Sequence, residues 1–394
     1  GRAPRVLVVA TKNIRENPFR DVNLVRALTA RGAQVTLALL GKRLNTFGYA
    51  AEDVNAPPLA GVNVVYVDNR GLYGWLAGRA DAALLGCWRD NKMLVRLATA
   101  LGKLVIEHDS VSGLDDWSFG SHALLLKGPF LRRISEASYH ERYPDMAFVE
   151  TGSIAHERPL SDTTPRDRET FCHRYDLDPT RPVAVFFPKG IKVFEDKLKM
   201  WFPDKGEEYH AWYLDRYDRI CGAVREAGMN LVVKLHPAAY ASYRTRRDFE
   251  FEFWGRFPWA AILEPEDAYD CYAHADVGVS IISHSALDFG YFRRPFVYVD
   301  GDRAPIHEFS NRHLRKGQCA LPPGPSRLWD SPIPYDLPVH FPSWVGAACQ
   351  AHELADLLAS GAYTDPNPAH YDQFIAEFWH KVDGKASERI ADYT

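Results

Sequence analysis

Short apolar runs alternate with amphipathic stretches in two successive series along the chain. Arg5–Ala10 (RVLVVA) is β-branched and has no polar interruption, the pattern of a strand buried on both faces. Asp21–Arg31 carries Val22, Val25 and Leu28 close to helical spacing, and Gly32 stops it. Gln34–Leu40 and Val62–Val67 predict further strands. Ala80–Cys87 leads into a helix over Asn91–Leu101 closed by Gly102, and Lys103–Glu107 and Met146–Glu150 are two more strands. Strands separated by helices imply a parallel sheet covered on both faces.

Ser161–Pro182 is polar, charged and proline-containing, and reads as a linker. The alternation then restarts. Strands are predicted at Pro182–Phe187, Asn230–Leu235, Ala260–Leu263, Val277–Ile282 and Pro295–Val299. Helices are predicted at His210–Glu226, Ala268–His274 and Ser285–Phe292. Leu321–Pro342 is proline-rich and reads as a surface loop, whereas Tyr371–Trp379 carries a helical apolar stripe. The expected fold class is therefore α/β, with two Rossmann-like doubly wound domains facing a cleft. The expected boundaries are 1–165 for an acceptor-side domain, 166–369 for a donor-side domain, and 370–394 for a C-terminal helix crossing back to the first. Ligands of such sheets sit beyond the carboxyl ends of the strands.

The length of 394 residues suits two domains. The formal net charge of −4 argues against a general nucleic-acid binder. Six scattered cysteines, none in a CxxC pair, predict neither a disulfide framework nor a zinc site and suit a reducing, cytoplasmic setting. No apolar run reaches the length of a membrane span, and the N-terminus does not read as a signal peptide. Gly1 in place of Met suggests either a trimmed chain or an excised part of a longer, multidomain protein.

Candidate chemistry falls where predicted strands end. Lys234-Leu235-His236-Pro237 puts a cation and an imidazole after one strand, where proline ends the ladder; both suit phosphate oxygens. The bland reading is a solvent-facing Lys234 and a loop-capping His236. Ser283, His284 and Ser285 open a helix, whose free N–H groups suit an anion as well as simple capping. Lys189 and Gly190 follow a third strand, with Gly190 admitting close approach of a ligand. In Glu264–Asp270 the acids, Glu266 among them, suit ribose hydroxyls or a helix start equally. In the first half, Glu107-His108-Asp109-Ser110 offers His108 or Asp109 as a base for an acceptor hydroxyl, with Asp115 and Asp116 close in sequence. Thr11-Lys12-Asn13 also follows a strand. GxGxxG and Walker A motifs are absent, which weakens dinucleotide and ATPase readings. The DxD triplet Asp176-Leu177-Asp178 lies in the predicted linker and reads as accidental, so no metal is expected.

Three stretches resemble the CDP-glycerol glycerophosphotransferase family of GT-B enzymes, which build teichoic-acid and capsule polymers. They are Val232–Pro237 (VVKLHP), Ala275–Asp300 and Asp383–Ile390 (DGKASERI), in family order, within a resemblance covering about Pro182 to Ile390. The resemblance implies that His236 is the donor-side histidine and Ser283 the first serine of a pair. Three departures stand out. His284 replaces the second serine, Ile281 replaces the usual Asp, and His108-Asp109 is the nearest substitute for a His-Gly motif.

The implied function is transfer of a glycosyl or polyol-phosphate group. The donor would be nucleotide-activated, a CDP-, CMP- or UDP-linked substrate, and the acceptor a hydroxyl of a cell-surface polysaccharide or glycan. A polymer acceptor would add peripheral association with the inner membrane face. Two alternatives stay open. One is a non-hydrolysing sugar-nucleotide epimerase; the other is a non-catalytic nucleotide- or glycan-binding module of a larger polymerase.

Overall fold

A computed structural model describes the chain except residues 1, 11–19, 46–47, 87–90, 109–119, 155–156, 158–165, 246–248, 282, 284, 301–303, 306–345 and 365–366. The described residues form two compact units. Those up to Glu157, with Ile375–Thr394, make the first, and those from Arg166 to Phe374 make the second.

The first unit is built on β1 (Arg5–Ala10), β2 (Gln34–Leu40), β3 (Val64–Val67), β4 (Ala82–Gly86), β5 (Leu104–His108), β6 (Ala123–Leu126) and β7 (Ala147–Glu150). They lie in the order β3-β2-β1-β4-β5-β6-β7, and every pairing is parallel. Pleating divides β1 between two cores. Val6 and Val8 pack with Val22, Val25 and Leu28 of the helix Asp21–Ala30, and with Ile390 of the C-terminal helix Ala386–Tyr393. Leu7 and Val9 pack on the opposite face with Tyr73 and Ala77 of helix Arg70–Arg79, and with Leu94, Val95 and Ala98 of helix Lys92–Ala100. A strand buried on both sides has no place for a polar residue, which accounts for the unbroken RVLVVA run. Gly102, with φ +68°, closes the second of these helices in a conformation that L-residues rarely adopt.

The second unit repeats the plan with β8 (Val183–Phe186), β9 (Asn230–Val233), β10 (Ala260–Ile262), β11 (Val277–Ser280), β12 (Phe296–Val299) and β13 (Gly346–Cys349), ordered β10-β9-β8-β11-β12-β13. These pairings are also all parallel. One face buries Tyr213, Tyr217, Ile220 and Val224 of the long helix Gly206–Glu226. The sheet order reverses between β1 and β4 in the first unit and between β8 and β11 in the second.

Three sequence expectations change. The predicted linker is structured from Arg166: helix Arg168–Arg174 is capped by Asp167, which accepts from Thr170 N–H at 2.9 Å. Arg168 then ties that helix to Asp276 at 3.0 Å. Charges that look solvated in sequence are here cap and ion-pair partners. The DxD segment is a turn, with Asp176 at φ +54° and Asp178 accepting from the Thr180 N–H and hydroxyl. Those hydrogen bonds hold the Asp178 carboxyl below its ordinary pKa. Strands β6 and β13, with the sequences ALLL and GAAC, were not predicted. The loop expected at 321–342 lies outside the described residues. Among the described residues Cys172, Cys221, Cys271 and Cys349 are free thiols, and burial raises the pKa of each.

Two tests follow. A Cβ on Gly128 would lie 2.6 Å from the Phe378 carbonyl carbon, so Gly128→Ala should destabilise the first unit by roughly 1–3 kcal/mol in thermal melts. An unchanged melting temperature would mean that the segment around Phe378 moves aside freely. Glu157 is buried and accepts from both the N–H and hydroxyl of Ser387; burial raises its pKa, opposed by those hydrogen bonds. The folded state therefore binds this proton more tightly than the unfolded one, so its contribution to stability is largest at low pH. It declines as pH rises from the ordinary carboxylate range through the raised pKa. Glu157→Gln should flatten that part of the stability–pH curve, and parallel curves for the two proteins would refute the assignment.

Candidate functional site

In the second unit the sequence-predicted residues gather at one edge of the sheet. Phe186 of β8 is in register with Val233 of β9 on one side and Val279 of β11 on the other. Three loops therefore leave together, across about 10 Å of sheet. β8 leads to Lys189 and Gly190, β9 to Lys234–His236, and β11 to Ser283 and Ser285. The gap between β8 and β11 is the switch point, where ligands of doubly wound sheets sit.

The β8 loop is fixed from beneath. The Lys189 N–H donates to the Tyr217 hydroxyl at 2.9 Å, and that hydroxyl faces the Lys189 carbonyl at 3.3 Å. Glu250, almost fully buried, accepts from the Ile191 N–H and, at 3.1 Å, from the Trp254 indole. Ile191 opens helix Ile191–Trp201, so a carboxylate of the protein already occupies this helix start. Gly190 has a packing role as well. A Cβ there would lie 2.8 Å from the Ala239 Cβ, so glycine also admits the close approach of helix Pro237–Thr245.

The β9 loop presents Lys234 with its ammonium 5.8 Å from the ring centre of buried Tyr272. The half-buried His236 precedes helix Pro237–Thr245, and its carbonyl accepts from the Tyr240 N–H at 2.9 Å. Proline suits a first helical position, where no N–H partner is required. On the β11 side, the Ser280 hydroxyl donates to the Phe187 carbonyl at 2.7 Å and holds the two strand ends together. Ser283 Oγ accepts from the Ser285 N–H at 3.1 Å, and Ser285 opens helix Ser285–Tyr291. Ile281 is buried in the apolar core, a place that would not suit an unpaired carboxylate. His284 lies outside the described residues.

The acids after β10 separate by role. Glu264 accepts from the Tyr240 hydroxyl and pairs with Arg244 at 3.4 Å. Buried Asp267 takes Arg166 at 3.0 Å, Arg174 at 2.5 Å and the Tyr175 hydroxyl at 2.6 Å. Asp270 accepts from the Arg166 N–H at 3.0 Å. Glu266 is exposed and makes no hydrogen bond or ion pair among the described residues.

In the first unit, His108 ends β5 and is fully buried. Its Nε2 lies 3.9 Å from Oδ1 of Asp21, an ion-pair rather than a hydrogen-bond distance. Arg20 Nε lies 4.0 Å from the same oxygen. Burial raises the Tyr49 pKa well above its ordinary value, and the Asp21 charge adds to this. Sequence reasoning missed Asp21, because an acid at a helix start looks like a dipole partner. Glu250 was missed for a similar reason: FEFEFW gives no sign that one acid turns inward. Asp109, Asp115, Asp116 and Thr11–Asn13 lie outside the described residues. Among the described residues no group of three or more His, Cys, Asp or Glu could hold a metal ion, and no helix is long and apolar enough to cross a membrane.

No protein-family model matches the chain, and no curated protein matches it. Solved structures do. A glycosyltransferase from Rickettsia africae superimposes with a TM-score of 0.53 at 11% identity, covering 100% of this chain and 98% of that one. The UDP co-structure of MnaA from S. aureus gives 0.56 at 11% identity, covering 99% and 95%. The wall teichoic acid polymerase TagF, in a crystal soaked with CDPG, gives 0.55 at 12% identity, covering 100% and 88%. At such identities the likeness is one of fold, and with the two switch-point sheets it shows that this chain has the GT-B fold of two Rossmann-like units.

Proposed function

We propose that this chain is a nucleotide-donor-dependent transferase that moves a glycosyl or polyol-phosphate group to an acceptor hydroxyl. The observation that carries the reading is the convergence of the Lys189, Lys234–His236 and Ser283–Ser285 loops at the β8/β11 switch point. Lys234, His236 and Lys189 supply the positive and hydrogen-bonding groups that a departing nucleotide phosphate needs as charge develops on it. Ser283 and Ser285 stand on the other side of the switch point. Glu266, the exposed acid of its segment, is available to ribose hydroxyls. The UDP of the MnaA structure and the CDPG of the TagF structure support a nucleotide as the ligand, by analogy of fold.

On the acceptor side the proton is assigned to His108, with Asp21 as its orienting partner and Asp109 as the neighbouring acid. The transferase needs no metal in this reading, because the phosphate charge is met by side chains and N–H groups. Its setting is the cytoplasm, and its acceptor a cell-surface polysaccharide or glycan.

Titration with CMP, CDP, UMP, UDP and GDP, with and without magnesium, should raise the melting temperature by several degrees for one base, independently of metal. No shift with any of them would end the nucleotide reading. With the matching donor and an acceptor panel, Lys234→Ala and His236→Ala should each lower kcat by roughly 10²–10³-fold without loss of fold; wild-type turnover in either would remove that residue from the site. Product formed from donor alone, without acceptor, would make the chain an epimerase instead. His108→Gln should lower kcat by about 10²-fold or more while leaving the nucleotide shift intact. Asp21→Asn should move the acid limb of the pH–rate profile. If both variants instead lose melting temperature and leave the pH profile unmoved, the pair is structural.

A further inference from the structure

The three strand exits of the second unit share one set of packed aromatic rings. Phe187 follows β8, and its N–H donates to the Val279 carbonyl of β11 at 3.0 Å. Its ring centre lies 5.3 Å from that of Phe289, on the helix that Ser285 opens, and 6.3 Å from that of Tyr272. Tyr272 in turn lies 5.5 Å from Phe289 and 5.5 Å from Phe292. It is 2% exposed and belongs to helix Ala268–His274, outside all three loops. Packed among three other rings, it is fixed in place. The Lys234 ammonium, from the β9 exit, stands over this ring at 5.8 Å, within the range of cation–π attraction. The same charge is felt one residue along the helix, where burial raises the pKa of the Cys271 thiol and Lys234 opposes the rise.

We propose that Tyr272 is a positioning residue, whose ring holds the Lys234 ammonium at the β8/β11 switch point for the phosphates of the donor. The inference rests on the nucleotide-donor reading of this site. A lysine carries its charge on a long flexible stem, and ordering that stem against a phosphate loses conformational entropy. A ring that already holds the cation removes part of that loss from the binding step. A ring also attracts the ammonium through its quadrupole without cancelling its charge, so the cation can still meet an anion. Phe187 and Phe289 extend the support to the β8 and β11 exits, so the ring that steadies Lys234 is seated against the other two loops of the site.

The test joins a signature of the ligand-free chain to binding. With isotopically labelled lysine, the Lys234 ε-methylene signal, identified by its loss in Lys234→Ala, should lie upfield of the other lysines through the ring current of Tyr272. It should return to the common position in Tyr272→Leu and stay displaced in Tyr272→Phe. In calorimetry with the nucleoside diphosphate that raises the melting temperature, Tyr272→Leu should weaken binding about three- to tenfold, and Tyr272→Phe should restore it. Affinity for the matching nucleoside, which has no phosphate, should not move. In the Lys234→Ala background, Tyr272→Leu should weaken binding by less than about twofold more. Tyr272→Met takes the place of the leucine variant should that fail to fold. While the wild-type chain binds nucleotide, any of four results would overturn the inference. These are an undisplaced Lys234 signal, equal weakening of nucleoside and nucleoside diphosphate, the full loss recurring in the Lys234→Ala background, and a phenylalanine variant as weak as the leucine one. A displaced signal in a wild-type chain that binds no nucleotide would instead end the donor reading, and with it the phosphate role of the ring.

Discussion

Parallel strands cannot be joined by a tight hairpin; each must be left through a crossover on a face of the sheet. All pairings in both sheets are parallel, and the rest of the molecule depends on this. Helices cover both faces, strand interiors become apolar throughout, and polar side chains are confined to the edges where the chain leaves a strand. Lys189, Lys234, Ser283 and His108 lie at such exits. The reversal of strand order then separates neighbouring crossovers to opposite faces at β8/β11, the place where ligands of doubly wound sheets sit.

The same confinement makes buried ionisable groups informative. Glu250, Asp267 and Glu157 all accept several hydrogen bonds, so each is a fastening for the backbone or an aromatic. Asp21 and His108 stand 3.9 Å apart at a strand exit, with Arg20 4.0 Å from the same carboxylate oxygen.

Much of this fold could be read from sequence because burial on two faces writes itself as uninterrupted Val, Leu and Ile, as in RVLVVA. Where the signal weakens, so does the reading. ALLL suits a helix or a strand equally, and GAAC at the edge of the second sheet has little β-propensity. Arg166–Arg174 looked like a linker because a single sequence cannot show that Asp267 and Asp276, about a hundred residues on, wait for those arginines. The strand-end motifs of the donor side were legible as positions, but their division of labour was not. Only the structure separates exposed Glu266 from the three hydrogen-bonded or ion-paired acids around it, and shows the packing of Gly190 against Ala239.

Glu250 and Tyr217 fasten the Lys189 loop through its own backbone, without any bound molecule. The conformational entropy of ordering that loop is thus lost once, when the chain folds, and not again at each encounter with a ligand. A loop fixed in this way would offer the same geometry to any phosphate at the proposed site. Under the proposed function, choice between one nucleotide and another would then rest on other segments, and altered donor choice is better sought by changing those than by changing the Lys189 loop.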